Sequence, residues 1–132
     1  MPSSRPPVAE LIDGVRESLE RDVLPTLTGD RRFRCRVAIN VLAIVGRELR
    51  LGPAADAREQ ASLAALLGEE GPLDELRRAL AARIRDGRIA AGDPTLLACV
   101  RAALRDALAI NSPKWLGTDA ADLSPMPRPP VD

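Results

Sequence analysis

The sequence predicts an all-α fold, a compact antiparallel bundle of about five helices around one central apolar helix. Three observations predict it. Apolar residues recur at spacings of three and four along most of the chain, and no stretch alternates with period two. Glycine, proline and aspartate punctuation cuts the chain into segments of helical length. Aromatic residues are nearly absent, with one Phe, one Trp and no Tyr, so a core must be built from Leu, Val, Ile and Ala. That composition suits close-packed helices better than a β-sandwich. A length of 132 residues implies one domain.

Residues 1–6 are a Pro/Ser/Arg leader, expected to be flexible. The folded domain is expected over 7–116. Pro7 suits the first position of a helix. Val8, Leu11, Ile12, Val15, Leu19 and Val23 then fall on one face of a helix over about residues 7–24, which Pro25 ends. Gly29 is the turn residue and Asp30 a candidate N-cap for the central helix, residues 30–51. Gly52 should end that helix. Pro53 should open a third, over 53–67, with only a thin apolar edge. Pro72 opens a fourth, whose narrow seam is Leu73, Leu76, Leu80 and Ile84, with Gly87 as its cap. Asp93-Pro94 is an N-cap acid followed by proline at the first position, and starts a fifth helix with a broad apolar face. Asn111-Ser112-Pro113 stops it. Trp115 is expected to cover one end of the bundle. Residues 117–132 are proline-rich and poor in apolar residues, and are expected to be a disordered tail.

The central helix carries the most information. With Arg36 set at zero and 100° per residue, Phe33, Val37, Ala38, Val41, Leu42, Ile44, Val45 and Leu49 fill an arc about 180° wide, with Ile39 just beyond it. A helix apolar over so much of its surface is expected to be surrounded by others. Arg32, Arg36, Asn40, Arg47 and Arg50 form an opposite polar stripe, within about 40° of one line. Glu48 falls inside the apolar arc, where a carboxylate should pair with an arginine or reach past the helix end. The candidate site is therefore Arg36, Asn40, Arg47 and Glu48. It reads either as a solvated face with a structural ion pair, or as an anion- or partner-binding stripe, because arginine suits bidentate carboxylate and phosphate contacts.

Several chemistries are excluded or unsupported. There is no histidine, which removes His-based triads and most zinc and iron sites. Cys35 and Cys99 are far apart in sequence and are expected to be buried free thiols, as suits a reducing cytoplasm. No glycine-rich phosphate loop occurs, so no cofactor or metal is expected, and no catalytic residue can be named. Formal net charge is zero with both signs interspersed, which opposes a general nucleic-acid binder. Arginine outnumbers lysine eighteen to one, which together with the abundant alanine matches the codon bias of a GC-rich bacterial genome. The first residues lack the apolar core of a signal peptide, and Val37 to Gly46 is too short to span a bilayer.

Four stretches carry a family resemblance: Val23-Leu-Pro-Thr-Leu-Thr-Gly29, Phe33 through Leu49, Leu66-Leu-Gly68 before Leu73, and Asp93-Pro-Thr-Leu-Leu97 with Leu108-Ala-Ile-Asn111-Ser-Pro113. Over about residues 7–116 the chain resembles a bacterial all-α family of unknown function. Its members occur beside or fused to aminoglycoside-phosphotransferase-like kinases and near acyl-CoA dehydrogenases. Arg36, Asn40, Arg47 and Glu48 match recurrent positions of that family. The resemblance implies a non-catalytic accessory module in an acyl-CoA-handling system, with such a kinase or dehydrogenase as partner. It implies no catalytic residue for this chain. Two other roles fit the residues: a small helical domain binding an anionic acyl or phosphate group, and a structural homodimer.

Overall fold

The computed structural model describes residues 6–116; the leader residues 1–5 and the tail 117–132 lie outside the described residues. Four α-helices make up the fold: α1 (Val8–Ser18), α2 (Gly29–Leu67), α3 (Leu73–Arg85) and α4 (Pro94–Asn111). No strand occurs among the described residues. A π-helical turn at Leu19–Val23 and a 3-10 turn at Leu24–Thr26 carry α1 on to Pro25, and a 3-10 turn at Pro113–Trp115 follows α4.

The expected five helices are four, because 30–51 and 53–67 are one. α2 runs through Pro53 for 39 residues, about 58 Å at the usual rise. A proline inside a helix removes one hydrogen bond and crowds the residue before it. Here that residue is Gly52, which has no Cβ to be crowded. The space a Cβ would take is filled instead by the Glu48 carboxyl, 2.7 Å from the Cβ position. α2 begins after Thr28 as N-cap, with Gly29 at φ +59° and Asp30 already in its first turn, so Asp30 is not the cap.

Other boundaries follow the sequence signals closely. Asp93 caps α4, its carboxylate accepting from the Leu96 amide at 2.9 Å. Gly68 ends α2 at φ +67°. Gly87, at φ +76°, ends α3, where the Ile89 amide reaches back to the Arg83 carbonyl at 3.2 Å.

α2 is the spine of the molecule. α1 packs along its first half, α4 along its second half, and α3 against its end. No Cα of α1, α3 or α4 lies within 8 Å of a Cα in another of these three. The fold is a long helix with three helices leaning on it, and is less closed than the expected bundle. Its best-formed core is small: Leu63, Leu67 and Leu76 are buried, with Leu73, Leu80 and Ile89 packed around them.

Candidate functional site

Three helix ends in this fold are closed by arginines from elsewhere in the chain. The last carbonyls of a helix have no partner within it and carry partial negative charge. Arg32 Nη1 donates to the Leu24 carbonyl at 3.2 Å, closing the segment that continues α1. Arg47 Nε donates to the Ile110 carbonyl in the last turn of α4, at 2.6 Å. Arg83 Nη1 donates to the Leu67 carbonyl at the end of α2, at 2.8 Å, and Nη2 reaches Glu69. Arg50 pairs with Asp13 of α1 through both guanidinium nitrogens. The hydrogen bond from Arg50 holds the Asp13 carboxyl below its ordinary value of 3.8.

The polar stripe of α2 is therefore divided. Arg32, Arg47 and Arg50 tie α2 to the C-terminal end of the α1 segment, to α4 and to α1 respectively. Arg36 and Asn40 are exposed and form no hydrogen bond with another described side chain or backbone group. Glu48 is also exposed and forms no ion pair among the described residues. It turns back over Gly52. Of the four candidate residues, the structure thus brings Arg36 and Asn40 together on open surface, while Arg47 is committed to α4.

The apolar arc of α2 is placed differently from the expectation. Within residues 30–51 only Ile39 and Gly46 are buried. α1 docks on their side, at the border of the polar stripe, and approaches closest at Gly46, where an added Cβ would meet Asp13 Oδ1 at 3.4 Å. The side chains that define the arc remain largely in water. Phe33 is 68% exposed, Val41 50%, Val37 44%, Leu49 43% and Val45 38%. They stand at a spacing of four, so they form a continuous row that turns about 40° round the helix at each step. The helix is not surrounded: α1 covers one side and α4 reaches only its second half.

That row runs on into a groove of about 590 Å³ between α2 and α4. Its apolar wall includes Val100 and Leu104 of α4, 40% and 57% exposed. Its polar residues are mostly acidic: Glu48, Asp56, Glu59 and Asp106 against Arg77. Glu59 is held by Arg77 at 2.7 Å, and Asp106 by Arg58 at 2.9 Å. Glu48 and Asp56 have no such partner among the described residues. Such a lining suits cationic and apolar groups, and the Arg36–Asn40 stripe does not line it.

No cluster of three His, Cys, Asp or Glu side chains able to hold a metal occurs among the described residues. Cys35 and Cys99 are both free, and half-buried where full burial was expected. Trp115 is half-buried in the turn that follows α4, with Lys114 Nζ 5.9 Å from its ring centre. No described helix is long and apolar enough to cross a membrane.

The exposed row is the feature that sequence reading missed. Its spacing was visible, but a wide apolar arc signals burial without saying against what. Compared with known proteins, residues 25–115 match one family model, a domain of unknown function, DUF6285. No curated protein and no solved structure matches the chain.

Proposed function

The chain belongs to the DUF6285 family, and we propose that it serves as a non-catalytic interaction module that docks through the apolar row of α2. One observation carries this reading. Phe33, Val37, Val41, Val45 and Leu49 form a contiguous row in which every member is more than one-third exposed. Together they leave roughly 400 Å² of apolar surface in water, and exposed apolar patches of a few hundred Å² are often functional. The charged groups on the same helix work mainly as struts: Arg32, Arg47 and Arg50 hold neighbouring segments in place and leave the row clear. The resemblance to a family found beside phosphotransferase-like kinases and acyl-CoA dehydrogenases makes those enzymes the partner classes to test. The cytoplasm, where both thiols stay reduced, is the compartment proposed for the module.

The test is a tagged pull-down from the native bacterium at native expression, with mass spectrometry of what is retained. The wild-type chain is compared with a Val37→Asp, Val41→Asp double variant. Both positions are solvent-facing, so the variant keeps its fold, and circular dichroism checks that it does. A kinase or dehydrogenase retained in stoichiometric amount by the wild type and lost by the variant would support the proposal. Recovery with copies of itself only would remove those enzymes as stable partners. A wild-type chain that retains nothing, itself included, would contradict the docking reading altogether.

A further inference from the structure

We infer that the occupant of the α2 row is a second copy of this chain, packed antiparallel about a two-fold axis at Val41. The inference rests on the docking reading above and names the partner. The row is nearly palindromic about Val41: Phe33, Val37, Val41, Val45, Leu49. In an antiparallel pair centred there, Val41 meets Val41 of the other copy and Val37 lies beside Val45, while Phe33 and Leu49, turned about 80° to either side of Val41, flank the contact. A two-fold contact requires such self-complementarity, because each patch must fit itself.

The charges agree with the same axis. Arg34 and Glu48 stand seven residues either side of Val41, and within about 20° of its direction around the helix. The antiparallel pairing places Arg34 of one copy level with Glu48 of the other, about 10 Å from the axis, and does so twice. Neither residue has an ion-pair partner within its own chain among the described residues. The same packing carries the basic first turns of one α2 to the mouth of the other copy's α2–α4 groove, where Glu48 and Asp56 have no ion-pair partner among the described residues. Like-charged faces would repel each other; these attract.

The row, with Val100 and Leu104 of the groove wall, offers roughly 550 Å² of exposed apolar surface per copy. A standard interface covers about 800 Å² per partner, of which about 65% is apolar in homodimers. Val37, Val41 and Val45 form the centre of such a contact, with Phe33 and Leu49 at its flanks.

Equilibrium sedimentation of the full chain tests this. The wild type is expected at twice its 14.1 kDa chain mass at tens of micromolar. Val41→Asp places two carboxylates on the axis and is expected to leave a monomer with unchanged helical content. Arg34→Glu and Glu48→Arg should each weaken the dimer about tenfold or more, since two bridges become two repulsions. Combining the two should restore most of the wild-type affinity. That exchange decides the matter even if Val41→Asp fails to fold. A monomer at every concentration overturns the inference, whatever else covers the row. So does a dimer indifferent to Val41→Asp, or a double variant no tighter than the single ones. A monomeric chain that still retains a different protein through Val37 and Val41 would sink the dimer and leave the docking reading standing. A wild-type chain that associates with nothing would sink both.

Discussion

Replacing Arg47 with alanine is expected to destabilise the fold by about 1.5–2.5 kcal/mol, while Arg36→Ala changes it by less than about 0.5 kcal/mol. The two arginines lie on the same stripe of α2 and look equivalent in sequence. They differ in what their heads meet. Arg47 Nε sits 2.6 Å from the carbonyl of Ile110, a residue only 6% exposed. A hydrogen bond from a charged donor contributes about 1.5–3 kcal/mol, and a cation at a helix C-terminus adds a few tenths. Arg47 is half-buried, so solvent screening keeps the total in the lower part of that range. Truncation also leaves a carbonyl in a covered position without its donor. The loss should appear first as fraying of the last turn of α4. The assay is urea unfolding of wild type, Arg47→Ala, Arg47→Lys and Arg36→Ala at one protein concentration, so that any association contributes equally. Lysine can donate once from a flexible stem, and should recover part of the loss. An Arg47→Ala midpoint equal to wild type, or an Arg36→Ala loss as large as that of Arg47→Ala, would refute the assignment of Arg47 as the strut of α4.

Three further outcomes follow from the same structure. Leu76→Ala should cost about 2–5 kcal/mol, because Leu76 is 2% exposed and closes the small core with Leu63 and Leu67; chemical denaturation measures it, and a loss below 1 kcal/mol would mean the core is elsewhere. Pro53→Ala should stabilise the chain by about 1–3 kcal/mol, since an exposed proline inside α2 withholds one hydrogen bond; a lower melting temperature would show that the proline is needed for the path of the helix. The Asp13 carboxyl should titrate below 3.8 by NMR, and Arg50→Gln should raise it. A carboxyl held low by folding contributes stability above its unfolded value, and that contribution is lost as pH falls through the folded one. The α1 contact should therefore weaken only below about pH 4.

Much of the architecture is legible in the sequence at the chain's punctuation. Asp93-Pro94, Gly68 and Gly87 mark real ends because a cap side chain or a left-handed backbone is needed there whatever packs nearby. Gly52-Pro53 carries the same signal and misleads. A proline reads as a start, yet a preceding glycine removes the clash that would force one, and only the packing of α4 and α3 onto the second half of α2 makes the long helix worthwhile. The faces of α2 are harder still. Periodicity places Ile39 at the margin of the apolar arc, but Ile39 is the side chain that becomes buried. The missing signal was Gly46, a small residue on the same side as Ile39, where α1 can approach closely. Glu48 in the apolar arc was visible as an anomaly that called for a partner. Its own chain does not supply one among the described residues. A single chain's sequence pattern cannot separate a helix face that is covered within the chain from one covered by another chain, since both bury the same kinds of residue.

The most direct test is the solvent accessibility of the Val37, Val41 and Val45 methyl groups, read by NMR line broadening from a soluble paramagnetic probe across a dilution series of the full chain. A face covered by a second copy predicts protected methyls at high concentration. On dilution they should broaden together, with a single midpoint equal to the sedimentation Kd. Val41, on the axis, should be the best protected of the three. Methyls that broaden equally at every concentration would mean that no second copy covers the row even at high concentration, and would contradict the account.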